Sequence, residues 1–272
     1  MSEWNGMTFE AKDNMLRVVR QEAEGFLALA SEPDNWEMQT ACTNWQVRDT
    51  VGHLIDVTEN YFERFDAARA NTDVEPAYGL TGMAQRADDQ AEAFRGQPQQ
   101  ELVERLRTDF DKMMGIFEGL SEEDWGGLTV PHYYMGPLPA FFYPAFQLMD
   151  YGVHSWDIRQ GAGRAHALTG EAADLLVPFM FVLWQSTAAI PEGTAPYDFG
   201  VRILGGNDAG DYVLHITPEG LSYEQGDVSE VDTVMDFDAG SFVLTTFGRV
   251  NGGTIRGDRS RADDYLNLFF RI

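Results

Sequence analysis

A stripe of polar side chains runs along a segment that is otherwise strongly apolar. In the sequence QLMDYGVHSWDIRQG, at 147–161, the spacing places four polar residues on one side of a helix, namely Gln147, Asp150, His154 and Asp157. The opposite side carries large apolar residues, namely Phe141, Phe142, Phe146, Met149, Val153 and Trp156. Asp150 and His154 are four residues apart, and a carboxylate beside an imidazole on one patch suits a divalent metal. The stripe therefore either faces water or lines a site that needs ligands.

Two ligands on one helix are too few for a metal site, so a third has to come from elsewhere in the chain. His53, in WQVRDTVGHLIDV, lies on another predicted helix, roughly 150° from the centre of its apolar face. By periodicity it shares a polar side with Asp49 and Asp56, which favours a solvated histidine. Asp150 could also orient His154 without any metal. The residues alone leave metal binding open.

Charge and cysteine content exclude several classes of function. The chain has 272 residues, of which 44 are acidic and 19 basic, and its formal net charge is −25. A surface this negative repels nucleic acids and anionic membranes, so neither is expected as a partner. Cys42 is the single cysteine, and TACTNW around it predicts a small buried hydrophobe rather than a reactive thiolate. Because no signal peptide or membrane-spanning segment is apparent, we expect a cytoplasmic protein.

The hydrophobic period changes near residue 190. Residues 1–190 have a helical period and predict an up-and-down four-helix bundle. The predicted helices lie at roughly 9–30, 45–70, 137–160 and 169–190, with a polar region at roughly 80–120 that is broken near Gly96. After a Pro/Gly-rich stretch, the runs VRIL, YVLHIT, LSYEQ and TVMDFD predict strands of a small α+β domain at 198–272. The predicted fold class is α+β.

Two motifs in these helices resemble the mycothiol-dependent maleylpyruvate isomerase family, a branch of the DinB-like superfamily. WQVRDTVGHL at 45–54 is similar to the family's early helix motif, in which Trp-x-Val-Arg-Asp leads to a metal-binding histidine followed by leucine. DYGVHSWDIR at 150–159 resembles the second motif, in which an acid is followed four residues later by histidine and then by Trp-Asp. The order of domains is also similar, since the family has a DinB-like bundle followed by a sterol-carrier-like domain, to which TFGR at 246–249 and RGD at 256–258 have a weaker likeness.

The resemblance implies a zinc enzyme. His53, Asp150 and His154 take the places of the family's metal ligands, for Zn²⁺ or another divalent metal, and mycothiol is the implied co-substrate. The family's isomerases have glutamate where this chain has Asp150; aspartate also binds zinc, but the shorter side chain shifts the metal or its surroundings. Three protein ligands leave one coordination position open, as in catalytic sites. The implied function is activation of a low-molecular-weight thiol for addition to an electrophilic small molecule, in an isomerase or an S-transferase.

Two further residues are predicted to take part in catalysis. Asp157 is expected to accept the second N–H group of a metal-bound histidine, unless it is a helix-surface carboxylate paired with Arg159 or Arg164. Arg249, with Arg256 as the second candidate, is expected to bind a carboxylate of the substrate or the thiol, unless it is a surface residue.

Two other functions remain open on the sequence. One is a DinB-like metal enzyme that acts without a thiol cofactor. The other is a non-catalytic binding protein, in which the aromatic-rich helix and the sterol-carrier-like domain hold an apolar small molecule. Metal content separates the binding protein from the enzymes, and thiol dependence separates the two enzymes. The sequence sets neither the substrate nor the oligomeric state.

Overall fold

The computed structural model describes residues 3–164 and 166–269, apart from the side chains at 80, 81 and 84. The chain divides into two compact units, Met1–Leu168 and Thr169–Ile272. The first unit is mainly helical, and the second combines helices with a five-stranded sheet. The predicted α+β class with an N-terminal helical bundle is therefore confirmed.

Four long helices form the bundle of the first unit. The described elements of this unit are α1 (Lys12–Ser31), α2 (Val47–Ala70), α3 (Leu80–Ala93), α4 (Gln99–Glu118), α5 (Glu122–Gly127), β1 (Thr129–His132), β2 (Gly136–Pro139) and α6 (Phe142–Gly161). Helix α1 packs against α6 and α4, and helix α2 packs against α4, α3 and α6. The polar region predicted at 80–120 is broken as expected, into α3 and α4.

The aromatic helix begins later than its predicted start at 137. Residues 136–139 form β2, which pairs antiparallel with β1 from Thr129↔Pro139 to His132↔Gly136. Pro137 and Pro139 explain the difference, because proline fixes φ and disfavours helical backbone in the residue before it. The apolar residues of this segment do not alternate in a way that indicates a hairpin. The helix predicted from the sequence therefore begins several residues too early.

An ion pair between a buried carboxylate and a partly exposed arginine fixes the start of α2. Asp49 is fully buried, and its Oδ2 accepts the Gln46 backbone N–H at 2.8 Å as part of a capping box. The same carboxylate binds Arg95, just after α3, with Oδ1···Nε at 2.7 Å and Oδ2···Nη2 at 3.0 Å. Because His53 lies about one helical turn beyond Asp49, this anchor also sets the direction in which His53 points.

The segment between α1 and α2 lies directly against the C-terminal end of α6. A Cβ atom at Gly161 would be 2.1 Å from the Gln39 carbonyl oxygen and 2.8 Å from Thr40 Cα, so glycine permits this close approach. The Ala41 backbone N–H also donates to the Asp157 carbonyl oxygen at 3.0 Å. The loop before α2 is therefore held against the helix that carries the polar stripe.

The second unit is a mixed sheet packed on helices. Its described elements are α7 (Gly170–Thr187), β3 (Tyr197–Leu204), β4 (Gly210–Thr217), β5 (Gly220–Gln225), β6 (Val234–Asp238), α8 (Ala239–Thr246), β7 (Thr254–Arg256) and α9 (Arg259–Leu266). The strand order is β5-β4-β3-β6-β7, in which β3 and β6 run parallel and the other neighbours antiparallel. Phe181 of α7 contacts the rings of Tyr212, Tyr223 and Phe242, and so joins α7 to the sheet and to α8.

The helix predicted at 169–190 is present as α7, and the four predicted strand runs coincide with strands, except that TVMDFD begins one residue before β6. The predicted domains, 1–190 and 198–272, assign this helix to the bundle, whereas the compact units group it with the sheet. An apolar helix next to a Pro/Gly-rich stretch does not reveal which core it joins. Within the described residues, no helix combines the length and the apolar character that crossing a membrane requires.

Replacing Gly161 by alanine should destabilise the first unit, because the new methyl group overlaps the Gln39 carbonyl. We expect the free energy of unfolding to fall by about 1–3 kcal/mol, as for other overpacked sites, in urea denaturation. Gly115 is the matched control, since it lies in the exposed interior of α4 and an added Cβ would have nothing within 4 Å. Gly115→Ala should instead raise stability by about 0.5–1 kcal/mol through helix propensity. Equal effects of the two substitutions would contradict the close approach at Gly161.

Candidate metal centre

The structure brings the three predicted metal ligands together. One ligand atom each from His53 of α2 and from Asp150 and His154 of α6 lies within 4.8 Å of the other two. His53 Nε2 is 3.9 Å from Asp150 Oδ1, and the two imidazole centroids are 5.3 Å apart. Tetrahedral zinc, with bonds of about 2.1 Å, separates its ligand atoms by about 3.4 Å. Small side-chain rotations reach that spacing, so this donor set fits a divalent metal.

The polar stripe of α6 faces the interior of the bundle. Gln147, His154 and Asp157 are buried, and the side chains of His53 and Asp150 are only 15% and 23% exposed. Periodicity placed His53 correctly on the polar side of α2, but the solvated position that it favoured is wrong. The polar side of α2 at His53 faces the stripe of α6, so both belong to one buried polar cluster.

Asp157 lies within hydrogen-bonding distance of His154, and its role in orienting a metal-bound histidine stays a prediction. Its Oδ2 lies 2.9 Å from His154 Nδ1, which leaves Nε2 available to a metal. Asp157 is fully buried, which excludes the alternative position on the helix surface beside Arg159 or Arg164. Burial lowers the pKa of His154, and the bond to Asp157 opposes that shift. A neutral imidazole is the form that ligates metals.

Two residues of the loop before α2 were missed as members of this cluster. The indole of Trp45 lies over both imidazoles, with centroid distances of 4.9 Å to His53 and 5.7 Å to His154, and its Nε1 donates to Asp88 at 2.6 Å. The Cys42 side chain packs beside Trp45, as a small hydrophobe would, but its Sγ also lies 3.2 Å from Asp157 Oδ2. Residues in a loop have no hydrophobic periodicity from which their position can be predicted. For Trp45 the WQVRD motif is the one sequence feature that points to the site, and Cys42 lies outside that motif.

A buried histidine borders the same region without joining the ligand set. His132 Nδ1 accepts the backbone N–H groups of Tyr134 and Met135 at 3.3 and 3.2 Å, so its proton lies on Nε2, 3.4 Å from the Tyr61 hydroxyl. Burial lowers the pKa of His132 to about 4, and the charge of Asp150 partly opposes this shift. His132 is therefore a neutral hydrogen-bonding group at neutral pH.

The two candidate arginines lie in the second unit. Arg249 Nη1 donates to the Phe247 carbonyl oxygen at 3.2 Å, and the side chain is partly buried. Arg256 Nη2 pairs with Asp236 Oδ1 at 2.7 Å, between the neighbouring strands β7 and β6. The carboxylate-binding role of Arg249 stays a prediction.

The chain combines a helical bundle, which carries the His/Asp/His cluster, with an α+β unit that follows it. These features place it among helical-bundle proteins with a candidate metal centre. The family model described as "Mycothiol maleylpyruvate isomerase N-terminal domain" matches residues 16–159, more than half of the chain, including all three predicted ligands. The chain belongs to this family.

Solved structures support the same fold. The chain is similar to a crystal structure of the mycothiol-dependent maleylpyruvate isomerase, with a TM-score of 0.61 and 13% identity over 91% of this chain and 95% of that one. It is similarly related to a mutant of that isomerase with one histidine replaced by alanine, with a TM-score of 0.60 and 12% identity over 91% and 95% of the two chains. At these identities the likeness shows a common fold. No curated protein matches the chain.

His132 should make the protein less stable as the pH falls. In the unfolded chain a histidine takes up a proton near pH 6.5, whereas the folded His132 resists protonation down to about 4, so acid favours the unfolded state. Between pH 7 and 4.5, the wild type should lose about 2–3 kcal/mol more unfolding free energy than His132→Gln, which has no titrating group. Urea denaturation of both proteins across this range tests the difference, and parallel pH curves would contradict it.

Proposed function

We propose that this protein is a zinc-dependent enzyme that activates mycothiol for addition to an electrophilic small molecule, as an isomerase or an S-transferase. The observation that carries the proposal is the convergence of two imidazoles and one carboxylate within 4.8 Å, on helices that the family model covers. Isomerisation is the preferred reaction, because both similar structures are described as mycothiol-dependent maleylpyruvate isomerases. The net charge of −25 favours small-molecule partners over nucleic acids or membranes, and we propose a cytoplasmic location.

The residues of the cluster have separate roles. His53, Asp150 and His154 hold the metal, and Asp157 keeps the proton of His154 on Nδ1 so that the Nε2 lone pair points to the metal. When bound, zinc with an open coordination position supplies a site at which a small thiol loses its proton and becomes a nucleophile at neutral pH. The indole of Trp45 packs against the two imidazoles and limits their movement.

Addition of a thiolate to a conjugated double bond explains both possible outcomes. The sulfur forms a bond to one alkene carbon, and the displaced electron pair moves onto the carbonyl oxygen of the substrate. The former alkene carbons are then joined by a single bond that rotates. Return of the electron pair expels the thiolate and gives the geometric isomer, whereas protonation of the adduct gives a thioether. Arg249 is our candidate for binding a carboxylate of the substrate or the thiol.

The chain should bind one divalent metal, most readily zinc, through the three proposed ligands. His53→Ala and His154→Ala should each lose stoichiometric zinc while remaining folded, because two remaining donors rarely hold the ion. Elemental analysis of untagged protein after dialysis measures the metal, and circular dichroism confirms helix content. His215→Ala is the matched control, since His215 lies on strand β4 and pairs with Asp198. Equal zinc in the wild type and both ligand mutants would show that the site is wrongly assigned.

Exchange of Asp150 for glutamate restores the acid that the family's isomerases have. Zinc binding should survive, because either carboxylate reaches the imidazoles, while the turnover number should change as the metal moves by about one methylene length. Loss of zinc in Asp150→Glu would show that the bundle is built around the shorter side chain.

Turnover should require a thiol. Activated alkenes, maleylpyruvate among them, should react in the presence of mycothiol and remain unchanged without it, as followed by absorbance and by chromatography of the products. A geometric isomer identifies an isomerase and a thioether identifies a transferase. Equal turnover without thiol would favour the metal enzyme that needs no thiol cofactor. Zinc-loaded protein that neither turns over nor binds thiol would favour the binding protein.

A further inference from the structure

Cys42 occupies a fixed position in the loop before α2. The Thr40 backbone N–H donates to the Trp45 carbonyl oxygen at 3.0 Å, and the Gln39 side-chain amide donates to the Cys42 carbonyl oxygen at 2.9 Å. The bond from Ala41 to the backbone of α6 and the close approach at Gly161 hold the loop against that helix. The loop geometry therefore presents the thiol to α6 without help from the thiol itself.

The thiol forms the outer end of a chain of hydrogen bonds that leads to a proposed metal ligand. Cys42 Sγ lies 3.2 Å from Asp157 Oδ2, and the same oxygen lies 2.9 Å from His154 Nδ1. A carboxylate has no proton to donate, so the S–H group of Cys42 is the donor, and the sulfur is a thiol rather than a thiolate. A fully buried carboxylate such as Asp157 needs donors of this kind, because burial removes its hydrating water.

We propose that Cys42 is a positioning residue of the metal centre. Its thiol fixes the Asp157 carboxylate in the orientation that accepts the Nδ1 proton of His154, and thereby keeps the Nε2 lone pair of His154 available to the metal. The metal part of this inference rests on the proposed function, in which His154 is a ligand. Cys42 itself contacts neither metal nor substrate.

Direct ligation by Cys42 is the competing assignment, since ligand atoms of Cys42, His154 and Asp157 also lie within 4.8 Å of one another. The distances favour hydrogen bonds, because 2.9 and 3.2 Å are direct donor–acceptor separations, whereas ligand atoms around zinc lie about 3.4 Å apart. Occupation of that triad would take Nδ1 of His154 away from Asp157, and His53 and Asp150 would be left outside the site.

The first test reads the tautomer of His154 in metal-free protein. Long-range ¹H–¹⁵N correlation spectra of the histidine rings distinguish a proton on Nδ1 from a proton on Nε2. The wild type and Cys42→Ser, whose hydroxyl also donates, should both have the His154 proton on Nδ1. Cys42→Ala removes the donor, and the His154 signals should shift toward a mixture of the two tautomers. His154 signals in Cys42→Ala identical to those of the wild type would overturn the proposal.

The second test measures zinc affinity by competition with a chromophoric chelator. Loss of a direct partner of a metal ligand typically weakens binding by about 10–100-fold, so loss of Cys42, one bond further out, should weaken it by about three- to tenfold. Cys42→Ser should restore affinity to within about threefold of the wild type. Thr43→Ala is the matched control, because Thr43 is exposed in the same loop. If Cys42→Ala lowers the Tm more than Thr43→Ala does, zinc affinity is measured on Cys42→Val as well. Valine fills the volume of the cysteine side chain without restoring a hydrogen-bond donor.

Two results separate this proposal from the others. Cobalt-substituted wild type with a thiolate-to-metal absorption band that Cys42→Ser loses would make Cys42 a ligand, and so overturn the positioning role. Wild type that binds no zinc would contradict the proposed function, while the tautomer of His154 in Cys42→Ala would still decide whether Cys42 positions it.

Discussion

A polar group buried in a helical bundle has to find its partners inside the bundle, and the polar stripe of α6 imposes this requirement on its neighbours. Gln147 Nε2 lies 3.4 Å from Thr58 Oγ1 of α2, Asp150 faces His53 of the same helix, and Asp157 binds both His154 and Cys42. Apolar packing alone tolerates rotation of one helix against another. The stripe restricts such rotation, because each of its members places a polar atom opposite another polar atom, although the buried Gln147 Oε1 has no hydrogen-bond partner among the described residues.

Interactions with residues outside the cluster hold these partners in place. The pair of Asp49 with Arg95 fixes the first turn of α2, and the bond from Trp45 to Asp88 ties the covering indole to α3. Neither interaction touches a proposed ligand atom, but the first limits movement of α2, which carries His53, and the second limits movement of the loop that leads into α2. This arrangement agrees with the general need of metal sites for surroundings that orient the ligands as well as for the ligands themselves.

Much of the architecture follows from hydrophobic period, including three of the long helices of the bundle and the four central strand runs. The fourth long helix, α4, lies in the region predicted only as polar and broken, and the helix predicted at 169–190 groups with the sheet instead. The β1–β2 hairpin was missed because prolines, rather than periodicity, determine it. His53 shows the limit of pattern reasoning, since its angle from the apolar face was read correctly and its environment was not. When the polar sides of two helices face each other inside a bundle, the pattern of each helix considered separately predicts that its polar side faces solvent. The ligand set follows from the resemblance of two motifs to those of the family. The contacts that Cys42 and Trp45 make from the loop before α2 are visible only in the structure.

The proposed ligands differ in how the chain brings them together. Asp150 and His154 become neighbours as soon as one turn of α6 forms, whereas His53 joins them only after a long intervening stretch of chain has closed. A contact between such distant positions forms late compared with local helical contacts. The complete triad therefore exists only in a bundle whose second and last helices have met, and an ion that binds all three residues stabilises that finished state over the unfolded chain. Metal occupancy would then report which molecules have completed folding.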